Sequence, residues 1–357
     1  MNDSRNFLSG DESEVGNLDG NSIILSTRVS LARNLANHKF PSSSTLDERN
    51  QIIKTVQDCI EGIDGKFEFH FHRLSRLTRV QRQMILDDYQ IDEDFVSKLS
   101  GRAILLSPRL SLKDSAISIL LCWDDHIMIQ VSSQGSCIKE GYATAGKIEK
   151  LLESRLSFSF DKEWGYLTAN PANLGTALEV SMMTHLPAIA ISPEIADFIK
   201  NLTKVGCSIS GFSGINSEII GNLFRISSSK TLGKSEEEIV EEMQAICLNI
   251  VEEEENSRKK LVKKDLLGAK DNVYRSFGLL KYAKILSFDE ALELLSILRL
   301  GLDLGIVEKT RDFDLFELIN IISDSHIISN FEIEGPVSDD DIDLKRADLI
   351  REKVLEE

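Results

Sequence analysis

The chain is short of positive charge. Its 41 lysines and arginines stand against 58 aspartates and glutamates, a formal net charge of −17 over 357 residues. That balance argues against general nucleic-acid binding and against an anionic membrane surface. An anionic small ligand would need a local cluster of cations. Arginine is scarcest in the middle of the chain, where Arg155 alone falls between residues 110 and 224. Paired cysteines are missing as well. Cys59, Cys122, Cys137, Cys207 and Cys247 are odd in number and never spaced C-x-x-C, so no zinc site, other metal site or disulfide framework is expected. Each reads as a small buried apolar residue. No apolar run reaches membrane-spanning length. The polar N-terminus lacks the apolar core of a signal peptide, and the cytoplasm is the expected location.

The composition, 42% hydrophobic and 28% charged, is that of an ordinary globular protein with room for one large domain and a smaller one. Residues 1–22 read as a flexible tail, 23–254 as the main domain and 255–357 as a helical domain. The stretch from Tyr166 to Pro187 draws most notice. A turn rich in Asn, Pro and Gly follows a short apolar run, and the spacing of Leu178, Met182 and His185 predicts a helix over Ala177 to His185, stopped by Pro187. A turn feeding a helix N-terminus would aim free N–H groups at an anion. Strands are expected at 23–25, 66–72, 102–107, 117–123, 127–132, 188–191, 207–209 and 223–227, and helices at 46–63, 75–99, 142–156 and 194–202. His70 and His72 fall on a solvated strand face. Several strands are joined by tight turns, which predicts an α+β fold with a mixed, largely antiparallel sheet and helices packed on it. Ser235-Glu236-Glu237-Glu238 and Ser287-Phe288-Asp289-Glu290 are capping boxes. The first opens a long helix over 236–264. The chain is all helical from about residue 268, with a turn at Gly335-Pro336 before the last helix.

Five separated stretches resemble one family. STRVSLARN (Ser26 to Asn34), CWDDHIMIQ (Cys122 to Gln130), the Tyr166 to Pro187 stretch, SGFSGINSEIIGNLFRIS (from Ser210) and the C-terminal ILRLGLDLG and KRADLIRE follow, in order and spacing, the bacterial protein-arginine kinases. These belong to the phosphagen kinase (ATP:guanido phosphotransferase) superfamily. The resemblance implies a phosphagen-kinase-type antiparallel sheet flanked by helices, with a C-terminal all-helical domain. It also implies transfer of a phosphoryl group from MgATP to a guanidinium nitrogen. That chemistry needs cations around the triphosphate and carboxylates that hold the guanidinium and take its proton.

The family positions are altered where those charges belong. By resemblance the nucleotide site comprises Ser26, Thr27, Arg28, Val29, Ser30, Met128, Glu179, Val180, Ser181, Met182, Met183, Ser210, Gly211, Ser213 and Gly214. The family clamps phosphates with arginines, whose planar fork pairs bidentately with phosphate oxygens. Arg28 keeps its place among them, while Ser30, Met128, Glu179 and Ser210 stand where the others would be. On the catalytic side, Trp123 replaces a Glu. Asp124 shortens the residue expected to act as base. Asp125 and His126 complete that hairpin. Asn170 replaces a Cys and Ile215 replaces a loop Glu. A family His at the adenine side falls near Tyr89. In the C-terminal domain Asp343, Lys345, Arg346 and Ala347 resemble a phosphoarginine-receptor pocket whose leading arginine is Ile342. Asp343 could pair with a guanidinium and Lys345 or Arg346 with a phosphate, or these charges simply cap and solvate a helix.

A scaffold kept while its charges vanish reads as a catalytically impaired pseudokinase. It would act as a binding or scaffold subunit in a quality-control or regulatory complex. The alternative is an active ATP-dependent protein-arginine kinase with a rewired site, using Asp124 as base, Arg28 with lysines as clamp, and MgATP as cofactor. The resemblance also implies protein partners, namely a small zinc-binding activator and Clp-type unfoldase–protease machinery. It implies a homodimer through the helical domain, for which Leu294, Leu295, Leu298, Leu302 and Leu304 could serve if they do not simply pack the core.

Overall fold

The strand β1 (Ile24–Arg33) is buried along its whole length, its polar and its apolar side chains alike covered. A computed structural model describes residues 22–61, 67–108, 114–212, 218–307, 310–330 and 337–355. The tail expected over 1–22 lies outside these but for Ser22, as do Lys66, the Gly335-Pro336 turn, and Ser213, Gly214 and Ile215. After β1 come α1 (Leu46–Glu61), β2 (His70–Arg73), α2 (Arg79–Tyr89), β3 (Ala103–Leu106), β4 (Ala116–Leu121), β5 (Ile127–Gln134) and α3 (Ile138–Glu153). A small hairpin, β6 (Phe160–Asp161) and β7 (Gly165–Tyr166), precedes β8 (Leu178–His185), α4 (Pro187–Ala190), α5 (Ile195–Lys204), β9 (Cys207–Gly211) and β10 (Leu223–Ser228). The remainder is helical: α6 (Glu236–Tyr282), α7 (Phe288–Asp303), α8 (Leu315–Ile321), α9 (Asp324–Asn330) and α10 (Asp339–Val354).

Eight strands form one sheet in the order β2-β3-β4-β5-β1-β8-β10-β9, with every neighbour antiparallel. Alternation gives the sheet two unlike faces. Val29, Leu31, Ile129, Val131, Val180, Met182 and Ile226 point to one side and pack with α3 and the start of α6 in the main core. The register places Arg28 and Ser30 of β1, Met128 and Gln130 of β5, Glu179 and Ser181 of β8, Arg225 of β10 and Ser210 of β9 on the other. A second core lies among α6–α10. It takes in Leu25, Met183 and Leu223 from the sheet, so the C-terminal helices are packed against the strands. Leu294, Leu295, Leu298, Leu302 and Leu304 all pack into this second core.

The antiparallel α+β architecture agrees with expectation, but the predicted helix over Ala177 to His185 is wrong. That segment is β8, paired with β1 on one side and β10 on the other. Leu178 and Met182 are four apart, a spacing that fits a period of two as well as 3.6, and Leu178, Val180 and Met182 form the alternate set that enters the main core. The N–H groups of a helix start are therefore not aimed at a ligand there; they serve the sheet. Residues expected as a strand at 188–191 instead fall mostly in α4, with Pro187 opening it at a position where its missing N–H costs nothing. The helix expected over 75–99 is only α2 followed by a 3₁₀ turn at Glu93–Val96. The helix that opens at the Ser235 capping box continues past 264 to Tyr282, through a break in helical geometry at Asp265.

Candidate functional site

Arg28 stands at the centre of the polar sheet face. Its Nε donates to Ser181 Oγ at 3.2 Å, its Nη1 to the Gln90 carbonyl at 2.8 Å and to Asp92, and its Nη2 to Glu179 Oε1 at 3.4 Å. Burial works against its charge, but Asp92 and Glu179 outweigh it and hold the guanidinium above its ordinary pKa. Asp92 also accepts from Arg225. Burial would raise the Asp92 carboxyl, yet Arg28 and Arg225 pull it below the usual range. Each of Arg28's three guanidinium nitrogens is thus engaged by protein groups. The Tyr89–Asp92 turn after α2 lies over this face, where Gln130 Nε2 donates to the Gln90 carbonyl at 3.1 Å and Ser26 Oγ to Gln90 Oε1 at 2.8 Å.

The expected nucleotide residues divide between the two faces. Ser26, Arg28, Ser30, Met128, Glu179, Ser181, Met183 and Ser210 share the polar face; Thr27, Val29, Val180, Met182 and Gly211 point the other way and pack or bond within the fold. Glu179 lies two residues along β8 from Ser181, the partner of Arg28, and Met128 four residues along β5 from its other partner Ser132, and neither supplies a cation. Asp92, Gln90 and Arg225 are the participants that sequence reading missed. A charge set between Phe224 and Ile226 in an apolar strand was the available signal for Arg225. Nothing local marked Asp92.

The hairpin residues separate just as clearly. His126 is fully buried. Its Nδ1 accepts from the Leu35 amide at 3.0 Å and its Nε2 faces the Lys39 carbonyl at 2.8 Å, partners that assign the proton to Nε2. Burial pushes its pKa down. Asp125 Oδ1 accepts from Asn34 Nδ2 at 2.6 Å and the Ala169 amide at 2.7 Å, while burial raises its pKa. These two side chains pin the β4–β5 turn to the strand-end segment after β1, and neither is presented to a substrate. Asp124 alone of the three is exposed. Partial desolvation, with Asp125 and Asp94 nearby, raises its pKa. It lines a cavity of about 460 Å³ together with Trp123, Asn170, Arg49, Lys98 and Arg102. Asn170 Oδ1 accepts from the Ala172 amide at 3.0 Å and so shapes its own turn.

In the C-terminal helices Arg346 is buried and fully committed. Its Nε donates to the Ile322 carbonyl at 2.9 Å, its Nη1 to the Leu286 carbonyl at 2.7 Å and to Asp343, and its Nη2 to Asp324. Ala347 is core, and Ile342 sits on the wall of a cavity of about 560 Å³ between α2, the sheet and α7–α10. Asp343 and Arg346 therefore satisfy each other.

A family model described as "ATP:guanido phosphotransferase, C-terminal catalytic domain" matches residues 51–257. A second, "Protein-arginine kinase McsB C-terminal domain", matches residues 267–357. The protein-arginine kinase of Halothermothrix orenii is 34% identical over 333 residues, 93% of this chain and 93% of the relative. The chain belongs to the protein-arginine kinase family. The corresponding kinase of Clostridium tetani is 33% identical over 337 residues, covering 94% of this chain and 96% of the relative. Among solved structures, lombricine kinase matches with a TM-score of 0.57 at 20% identity, over 68% of this chain and 70% of that one. The duplicated taurocyamine kinase of Schistosoma mansoni with bound transition-state-analogue components matches with a TM-score of 0.57 at 21% identity, over 71% of this chain and 37% of that one. These structures establish the phosphagen kinase fold. Among the described residues no helix is long and apolar enough to cross a membrane.

Proposed function

We propose that this member of the protein-arginine kinase family is catalytically impaired and acts as a binding or scaffold subunit. The reading rests on one observation: the retained phosphate-facing arginine, Arg28, is already held by Asp92 and Glu179. A magnesium-bound triphosphate does not fit such a lining. Ser30, Met128 and Ser210 offer it no charge, and Glu179 repels it. Loss of one preorganised donor to developing charge costs about 3 kcal/mol. Several such losses need not add, yet partial additivity leaves transfer from ATP very slow. Its partners would be proteins, in a quality-control or regulatory complex of the kind the family serves.

One feature favours the alternative of a rewired, active kinase. Asp124 is exposed to a cavity, and partial desolvation raises its pKa, the direction that suits a general base. Calorimetric titration with MgATP and MgADP, followed by a phosphoarginine assay on a model protein, separates the two. Absence of binding at millimolar nucleotide is the expected result. Nucleotide binding accompanied by phosphoarginine would refute the impaired reading.

A further inference from the structure

Among the described residues five arginines are buried: Arg28, Arg33, Arg102, Arg258 and Arg346. Four of them are ion-paired with carboxylates. Arg102 is not. Its Nη1 donates to the Asp94 and Phe95 carbonyls at 2.9 and 2.5 Å, and no described residue accepts from its Nε or Nη2. It lines the cavity of about 460 Å³ beside the β4–β5 turn, together with Arg49 and Lys98. Arg49 reaches the Pro41 carbonyl at only 3.4 Å, and its buried Nε has no partner. Burial lowers the Arg102 pKa despite the opposing pull of the Asp94 and Asp124 carboxylates, and the neighbouring Arg49 guanidinium adds a smaller lowering. Asp124, the one carboxylate among the described residues of the cavity wall, feels Arg102 and Lys98 through space but forms an ion pair with none of the three cations.

Crowding two guanidinium groups and an ammonium against a single lining carboxylate is unfavourable, and the buried Arg49 Nε left without an acceptor adds to the cost. An anion in the cavity would offset both. Guanidinium forks match the oxygens of a tetrahedral oxyanion bidentately. A pocket built for a guanidinium ligand would need the opposite lining. Among the described lining residues three cations face one carboxylate, and Trp123 and Asn170 are neutral. We propose that this cavity is an oxyanion site that takes a phosphate group, free or as a monoester on a small organic stem, and not a guanidinium cation. The proposal stands apart from the loss of nucleotide binding, since none of these cations lies on the polar sheet face.

The chain has two tryptophans, and Trp123 is on the cavity wall. In a full-length Trp164→Phe background, Trp123 fluorescence is followed while inorganic phosphate, O-phosphoserine or guanidinium chloride is added at constant ionic strength. Saturable quenching or enhancement by phosphate is expected, and a tighter response to phosphoserine would identify a stemmed ligand. Arg102→Gln should weaken binding about tenfold and the exposed Lys98→Gln about threefold. Asp124→Asn should tighten it by a similar factor, because it removes the carboxylate that faces those cations across the cavity. Arg102 also holds two carbonyls. If Arg102→Gln fails to fold, Lys98→Gln and Asp124→Asn carry the test. The proposal is overturned if neither anion gives a saturable response up to roughly 10 mM, if guanidinium binds more tightly than phosphate, or if Asp124→Asn weakens anion binding.

Discussion

Replacing Glu254 with glutamine removes one charge from the joint between the sheet and the C-terminal helices. Both carboxylate oxygens are in use. Oε1 accepts from the Ala188 amide at 3.1 Å and from Arg258 Nε at 2.8 Å, and Oε2 accepts from the Ile189 amide at 3.0 Å. Leu186, at the start of α4, provides no side-chain cap, so Glu254 does that work from α6. Arg258 in turn donates to Asp303 at 2.8 Å. A carboxamide turns an N–H₂ toward a donor on at least one side, and the site is closed to water. Charge-assisted hydrogen bonds contribute about 1.5–3 kcal/mol each, and breaking a buried pair costs about 3–5 kcal/mol. Glu254→Gln should therefore lose about 3 kcal/mol in urea unfolding. For a chain of this length unfolding as a unit, that is a fall of roughly 4 °C in Tm. Burial raises the Glu254 pKa despite Arg258, so pairing does not fully offset desolvation. Glu254→Leu with Arg258→Met should then cost less than the sum of the two single changes, since Asp303 keeps Arg299 as a partner. A loss under about 1 kcal/mol for Glu254→Gln, or strict additivity in the double variant, would refute the reasoning.

Two further outcomes follow from the same kind of reading. His326 of α9 lies between Asp87 and Asp88 of α2, with Nε2 at 3.0 Å from Asp88 Oδ1 and Nδ1 bonded to Ser323 Oγ at 2.9 Å. Burial lowers its pKa, but Asp88 and Asp87 outweigh it and raise the net value. Its stabilisation is thus complete below the unfolded value and is lost as pH rises through the folded one. Urea midpoints measured across neutral pH should fall with rising pH, and Asp88→Asn should flatten that slope; an unchanged slope would count against the clasp. Gly175 has φ +110°, and a Cβ there would stand 2.5 Å from the Thr231 carbonyl oxygen. Gly175→Ala should cost about 2–3 kcal/mol by strain and displacement of that carbonyl, read from thermal unfolding by circular dichroism.

The sheet and its helices were legible because their patterns are local. Short apolar runs marked β3, β4, β5 and β10, and the Ser235 capping box marked the start of α6. β8 was misread because Leu178 and Met182 suit either period, and only its two neighbours in the sheet decide between them. The candidate site was half legible. Missing arginines can be seen in a motif, but the partners of the arginine that remains cannot. Asp92 reaches Arg28 from 64 residues away, across a turn whose path is set by the packing of α2. Likewise, Asp125 and His126 look catalytic in a motif, and only their bonds to Asn34, Leu35 and Lys39 reveal that they hold a turn.

Charge has not simply been stripped from the polar sheet face. Arg28 and Arg225 are balanced there by Asp92 and Glu179. An arriving phosphate would have to displace one of those carboxylates from Arg28, exchanging one anion for another. The displaced carboxylate would remain close by and repel the ligand at short range in a partly desolvated setting. Restoring a single arginine on a neighbouring strand does not escape this, because Asp92 and Glu179 would compete for it as well. Reversal of Glu179 is the change that alters the balance. It removes an anion and adds a cation in one step, and it frees Arg28 Nη2. For the same reason the three cations beside Asp124, none in an ion pair among the described residues, matter more than their number suggests. They line a cavity whose one carboxylate among the described residues, Asp124, holds none of them in an ion pair.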